Sequence, residues 1–350
     1  MTQTTRYASV LAKIGAARST LLTDTRLNDL AESKNLTEFA AQLRDTVYAE
    51  SLAKLPLPLT SRKLERVFKD NLIETYVKII KYSPKSVTQF LGLYVLRFEV
   101  ENIKALIKAT NAKLNTEQKL AKIYFSAEDF LKRRALIEQI AKASDLKQLV
   151  NALNKTDYAQ AMELGLRSYE ENASTACLDV LLDKVFYEKL HEAYEALPKK
   201  EKPHALYYAG TENDGFTLLA LLRGKALNYD PDWLRLAVPH DNFNLPKETV
   251  EALVTAPDFD STLNIALKSY YAKFFTKEKA AEETIAVAEK AFTKEVLHHA
   301  KDSRILDLFD VGAPLVFMVQ KEAEAHNLTA LSLGVEADLK PEDIRSQLLT

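Results

Sequence analysis

Glycine is scarce in this chain. Eight occur among 350 residues, beside 11 prolines, where average usage gives about 24 and about 17. Sheet proteins need glycine at their tight turns, so the shortage argues against a β-sandwich or an α/β protein and for helices joined by short loops. One cysteine, Cys177, excludes an internal disulfide framework. It sits in the apolar run Ala176-Cys-Leu-Asp-Val-Leu-Leu182 and reads as a buried core thiol. No stretch approaches about 18 apolar residues free of charge, and the N-terminus lacks the apolar core of a signal peptide. Membrane contact is therefore expected only through protein partners, and the cytoplasm is the expected compartment. The 47 basic and 49 acidic residues are interspersed, with a formal charge of −2. No basic face for nucleic acid is visible.

Repetition is what the chain does have. A first marker reads Leu36-x-x-Phe39…Thr46-x-Tyr48, then Leu146-x-x-Leu149…Thr156-x-Tyr158, then Phe259…Ser269-x-Tyr271. In each copy the tyrosine lies 12 residues after the opening apolar residue. A second marker reads Asn102-Ile-Lys-Ala-Leu106, then Thr217-Leu-Leu-Ala-Leu221, then Asn327-Leu-Thr-Ala-Leu331. It stays in step to Thr116, Pro231 and Pro341. The copies are displaced by 110 and 113 residues for the first marker and by 115 and 110 for the second. Two independent markers with nearly one period imply a triplicated architecture. A chain of 350 residues exceeds one ordinary core, and modules of about 110 residues match the commonest domain size. The expected modules are 1–120, 121–235 and 236–350.

Helical spacing runs through most of the chain. Tyr7, Val10, Leu11, Ile14 and Ala17 form an amphipathic stripe. Leu36, Phe39, Ala40 and Leu43 form another, with Asn35 or Thr37 as cap. Each second marker is expected to end its helix near Lys113, Asn228 or Asp338, and a short helix should follow, opened twice by proline with acids behind it. Strand signals are weak; the run Lys78-Ile-Ile-Lys-Tyr82 has no hairpin turn beside it. Breakers cluster at Leu55 to Pro58, Leu197 to Pro203 and Pro239 to Pro246. The fold class expected is all-α.

Motifs for chemistry fail on inspection. Gly210-Thr-Glu-Asn-Asp-Gly215-Phe-Thr217 has the glycine spacing of a phosphate loop, but Phe216 stands where lysine is required, and Glu212 and Asp214 repel nucleotide. It reads instead as a loop leading into the second-marker helix. His298 and His299 are neighbours and point about 100° apart on a helix, so they do not face one ion. The stretch from His191 to Glu195 lacks the second histidine of a zinc protease. Arg223-Gly-Lys225 suits either an acidic partner or the capping of a helix C-terminus, with the local role favoured. No catalytic, cofactor-binding or metal-binding residue is assigned.

Taken in order, these segments resemble a known family. They are Tyr7…Leu11…Arg18-Ser-Thr-Leu-Leu22, Leu36-Thr-Glu…Leu43…Thr46-Val-Tyr48 and Phe98-Glu-Val-Glu-Asn-Ile-Lys104. Leu221-Leu-Arg-Gly-Lys-Ala-Leu-Asn228 with Pro231, and Asn327-Leu…Leu333-Gly-Val-Glu-Ala-Asp-Leu-Lys-Pro-Glu-Asp-Ile-Arg345, complete the set. The chain resembles the C subunit of the A-type (archaeal and bacterial V-type) ATP synthase/ATPase, related to the d subunit of the eukaryotic vacuolar ATPase, over essentially its whole length. It departs at Lys108-Ala-Thr110, where the family often shows Arg followed by a small residue, at Thr217, where the family favours Asn, and at Leu333, which stands at the basic position. The resemblance implies three helical bundles in a funnel of approximate three-fold symmetry. It implies a non-catalytic central-stalk component, peripheral at the cytoplasmic face of the membrane, whose partners are the central stalk and the membrane rotor ring. Such a component carries torque for proton or sodium transport. A helical adaptor gripping some other protein partner is the alternative, and an all-α enzyme with an unrecognised site is a third reading.

Overall fold

The computed structural model describes residues 3–302 and 309–349. It is 73% helical and holds no strand among the described residues, so the all-α expectation is borne out. In chain order the helices are α1 (Gln3–Arg18), α2 (Asp24–Leu30), α3 (Leu36–Gln42), α4 (Ala49–Ala53), α5 (Ser61–Tyr82), α6 (Lys85–Asn111) and α7 (Thr116–Leu120). There follow α8 (Phe125–Leu131), α9 (Arg134–Ala141), α10 (Leu146–Ala152), α11 (Ala159–Asn172), α12 (Ala176–Glu195), α13 (Lys202–Ala226) and α14 (Pro231–Ala237). The last are α15 (Lys247–Thr255), α16 (Phe259–Ala266), α17 (Ala281–Asp302), α18 (Gly312–Glu336) and α19 (Pro341–Ser346), with a 3-10 turn at Ala272–Phe274.

The chain divides into two compact units, one of residues 89–292 and one of the residues on either side of that span. In the unit built from both ends of the chain, α5 lies along α18, α1 packs against both, and α2, α3 and α19 close on α18. Leu64, Phe68, Leu72, Tyr76 and Ile79 form the buried stripe of α5 at the helical period. The run at Lys78–Tyr82 is the last turn of that helix, with Ile79 and Ile80 continuing its buried face. In the other unit α12 packs against α11 and α13, and α13 against α16. Its core gathers Leu218, Leu222, Leu263, Tyr271, Phe274 and Phe292.

Each marker adopts the same local structure in its three copies. The first opens on a side-chain cap. Asn35 accepts from the Glu38 N–H at 3.0 Å, Asp145 from the Gln148 N–H at 2.8 Å, and Asp258 from the Ser261 N–H at 2.8 Å. It ends in a hydroxyl turn. Thr46, Thr156 and Ser269 each donate to the carbonyl three residues back at 2.7 Å and accept from the backbone N–H of the tyrosine two positions on at 3.2 Å. That turn aims the tyrosine inward: Tyr48, Tyr158 and Tyr271 are all buried.

The second marker ends where the sequence indicates. Lys113, Asn228 and Asp338 take positive φ of 56°, 57° and 53°. The next residue donates back to the carbonyl five positions earlier, closing a Schellman end: Leu114 to Ala109, Tyr229 to Gly224, Leu339 to Gly334. The short helix that follows then folds back on the long one. In the second and third copies the acceptor residue must be small, because Leu234 and Ile344 lie over it. A Cβ on Gly334 would meet Ile344 Cγ1 at 2.6 Å, and one on Gly224 would meet Leu234 Cδ2 at 2.2 Å. The first copy carries Ala109 there. Gly334→Ala therefore lowers stability by about 1–3 kcal/mol through overpacking, against a helix-propensity gain of about 1 kcal/mol. Denaturant unfolding checks this, and a net stabilised variant would refute the close approach.

Candidate functional site

Charged groups stay in water unless something inside replaces it, so buried charge marks where this structure is most constrained. Glu99, Asp214 and Glu324 are buried. Each stands one helical turn before the opening residue of a second marker, Asn102, Thr217 or Asn327. Each accepts from a first-marker tyrosine hydroxyl: Tyr158 to Glu99 at 2.7 Å, Tyr271 to Asp214 at 3.0 Å, and Tyr48 to Glu324 at 2.6 Å. The tyrosine always comes from the copy after the one that supplies the acid, and the first copy's tyrosine reaches the last copy's acid.

The three joints are balanced differently. Lys321, one turn earlier on α18 and only 3% exposed, donates to Glu324 Oε1 at 2.6 Å and to the Tyr48 hydroxyl at 2.8 Å. Glu324 Oε2 accepts from the Leu22 N–H. Burial pulls the Lys321 ammonium below its ordinary pKa, and the Glu324 charge opposes that shift. Glu99 has Arg133, whose Nη1 donates at 2.7 Å. Asp214 accepts instead from neutral donors: the Phe243 and Asn244 N–H groups at 2.8 and 2.6 Å and the Asn213 amide at 3.1 Å. Burial raises its pKa, and the backbone and side-chain donors work against that.

Beside two of the joints the opening residue of the second marker binds a returning stretch of backbone. Asn102 accepts from the Tyr124 N–H at 2.8 Å and donates to its carbonyl at 3.2 Å; Asn327 does the same to Leu349 at 2.7 and 3.0 Å. Thr217 has no amide to do this. It donates to Asn242 Oδ1 at 2.7 Å, and Asp214 takes over the backbone N–H groups.

A cleft of about 340 Å³ opens among α1, α5 and α18, above the Lys321 joint. Ala17, Ile79 and Phe317 give it apolar walls, and Lys13, Lys78 and Glu74 bring charge to it. Partial burial, then the nearby Asp70 and Glu50, raise the Glu74 pKa above its ordinary value.

The motifs singled out in the sequence are dispersed. Gly210 to Thr217 is not a loop but lies inside α13. Its glycines serve close packing: a Cβ on Gly210 would sit 3.1 Å from Phe243 Cβ, and one on Gly215 3.1 Å from Phe292 Cδ1. Cys177 is buried at 1% exposure, and burial raises its thiol pKa. His298 pairs with Asp302 at 3.3 Å on the surface, and His191 packs on the Phe243 ring. Among the described residues no group of three or more His, Cys, Asp or Glu is placed to hold a metal ion. Arg223 meets Glu289 at the surface. Lys225 caps a helix C-terminus, but that of α15, donating to the Val254 and Ala256 carbonyls at 2.6 and 2.5 Å. The buried acids escape a reading of the sequence alone. Their shared offset from the second marker was the available signal.

Repeated joints that lock one helix against a distant turn are the marks of a structural helical protein built to hold its shape. Comparison with known proteins names the group: residues 10–347 match the family described as ATP synthase (C/AC39) subunit, and the chain belongs to that family. The A-type ATP synthase C subunit of Methanocaldococcus jannaschii is 27% identical over 348 residues, covering 98% of this chain and 86% of that protein. Its counterpart in Thermococcus kodakarensis is 26% identical over 347 residues, covering 97% and 90%. That of Methanosphaera stadtmanae is 27% identical over 351 residues, covering 98% and 86%. The resemblance drawn from the sequence is borne out.

Removing one partner of a buried ion pair strands the other, at a cost of about 3–5 kcal/mol. Glu324→Leu is expected to destabilise the protein by that order, and Lys321→Met with Glu324→Leu together by less than the sum of the two single losses, the remaining loss being that of the Tyr48 hydroxyl and the Leu22 N–H, which lack their acceptor in both. A double-mutant cycle by chemical denaturation checks this; additive losses would show that the pair is not coupled.

Proposed function

We propose that this protein is a non-catalytic central-stalk component of a rotary A/V-type ATP synthase/ATPase. It links the rotating stalk of the soluble head to the membrane rotor ring and passes torque between ATP turnover and proton or sodium transport. The observation that carries this reading is the family match over residues 10–347. The names of its relatives, each the C subunit of an A-type ATP synthase, support it.

Three modules, 1–120, 121–235 and 236–350, form a funnel in this reading, with a socket for the stalk and a rim for the ring. What supports the closed arrangement is the order of the joints. Copy two is braced on copy one through Tyr158–Glu99, copy three on copy two through Tyr271–Asp214, and copy one on copy three through Tyr48–Glu324. Packed helices resist winding better than loops do, because their interiors are close to crystal density. No described helix is long and apolar enough to cross a membrane. In this reading the protein works as a peripheral member of its complex, at the cytoplasmic face, and reaches the membrane through protein partners.

The experiment is affinity capture of the tagged full chain from native membranes. Recovery together with central-stalk and ring components is expected, and the purified chain alone should hydrolyse no ATP. Recovery only in soluble complexes lacking those components would overturn the assignment.

A further inference from the structure

The Tyr158 joint differs from the other two in holding a second carboxyl. Glu99 on α6 and Glu128 on α8 are both 0% exposed. Glu99 Oε1 accepts from Arg133 and from Tyr158, and Glu128 Oε1 accepts from the Asn102 amide at 2.7 Å. That uses one oxygen of each acid. The Oε2 atoms of both are buried and have no donor. Asn102, one turn after Glu99 on α6, hands its amide to Glu128, which places both acids against the same stretch of that helix, and each acid alters the proton affinity of the other.

An ionised carboxylate only accepts hydrogen bonds. Two buried acceptors side by side repel, and a proton between them turns the repulsion into a hydrogen bond. The nearby charges do not remove that need. Arg133 is spent on Glu99, with its other nitrogen 3.8 Å from Asp157. Asp157 is itself held by Lys189 of α12 at 2.7 Å. Arg134 is paired with Asp129 at the surface. Tyr158 already donates to Glu99, and Asn102 is neutral.

We propose that Glu99 and Glu128 form a proton-binding site, a carboxylic acid and a carboxylate sharing one hydrogen, which ties α8 to α6. Burial is the chief cause that pushes Glu128 up to about 8; the Asn102 hydrogen bond opposes it, the Glu99 charge adds to it, and the Arg133 charge, though engaged with Glu99, opposes it in smaller part. Burial also raises Glu99, against Arg133 and Tyr158. An unfolded glutamate releases its proton at about 4.3, whereas the folded pair keeps one to about 8. Over that window the folded chain binds more protons than the unfolded chain, so this joint's stabilisation is full on the acid side and falls as pH rises. Above it two like charges face each other out of water, and α8 is pushed off α6. This inference does not rest on the stalk reading.

The test uses the isolated full chain. In the infrared difference between wild type and Glu128→Gln, a protonated-carboxyl band is expected at about pH 6.5 and is expected to fade toward about pH 9, on either side of the folded pair's titration. Hydrogen exchange across 123–133, corrected for the intrinsic pH effect, should quicken several-fold at the alkaline end in the wild type and stay unchanged in Glu128→Gln, whose amide still donates to Glu99. Thermal stability should fall with pH more steeply in the wild type than in the variant. If the variant does not fold, carbon-13 titration of the wild-type glutamates decides: one carboxyl titrating near 8 supports the site, and all of them titrating at ordinary values overturns it. Absence of the infrared band, or exchange at 123–133 that ignores pH in the wild type, also overturns it.

Discussion

A phenol hydroxyl donating to a carboxylate sealed from water is the interaction on which this architecture depends. A hydrogen bond to a charged group is worth about 1.5–3 kcal/mol. Leaving the carboxylate buried and unsatisfied would cost several times that, or force it to take up a proton. The acid is placed by its helix, and the tyrosine by a hydroxyl turn whose distances recur in all three copies. Neither partner has freedom to shift by a helical turn, so the joint fixes register. The aromatic ring adds apolar anchoring: Tyr48 meets Phe68 edge-on at 5.3 Å, and Tyr271 packs with Phe274 and Phe292.

The three joints answer one electrostatic problem in three ways. Lys321 is a cation from the same helix, Arg133 comes from the loop between α8 and α9, and Asp214 depends on backbone and amide donors. The choice follows the residue that opens each second marker. Where Asn327 binds the backbone of Leu349, the acid is free to take a lysine. Where Thr217 cannot bind it, the acid does so itself, and a cation there would compete for its oxygens. The Glu99 joint adds a second acid and with it a sensitivity to pH. The three joints share their geometry and differ in their charges, which is the expected outcome when the shape of the contact is what matters.

Much of this was legible in the sequence because it is local chemistry. The cap at Asn35 and the helix ends near Lys113, Asn228 and Asp338 were read from side chains within a few positions, whereas the caps at Asp145 and Asp258 and the hydroxyl turns, equally local, came only with the structure. The tyrosine of the first marker was visible as a recurring residue, but not its partner, because the acids lie 57, 59 or 276 positions away. The stretch from Gly210 to Gly215 looked like a loop because Gly, Asn and Asp weaken an isolated helix. Packing reverses that preference: Phe243 and Phe292 lie so close that a Cβ at either glycine would sit 3.1 Å from them. No local rule contains that information.

Those separations also order the assembly of the chain. Two joints close loops of 59 and 57 residues, inside a unit that is continuous in sequence from 89 to 292. The third spans 276 residues and holds together a unit made of both ends of the chain. Loop-closure entropy rises only slowly with length, so the long joint is not much weaker at equilibrium. Its kinetics are another matter, because non-local contacts are slow to form and α1 to α5, although α1 and α4 already pack on α5, lack their shared partner until α18 has been synthesised. Until then Phe68 of α5 can meet Phe39 and Tyr48, but Tyr76 waits for the Met318 carbonyl to which its hydroxyl donates. The long joint therefore makes the first tyrosine, Tyr48, wait for the last acid, Glu324.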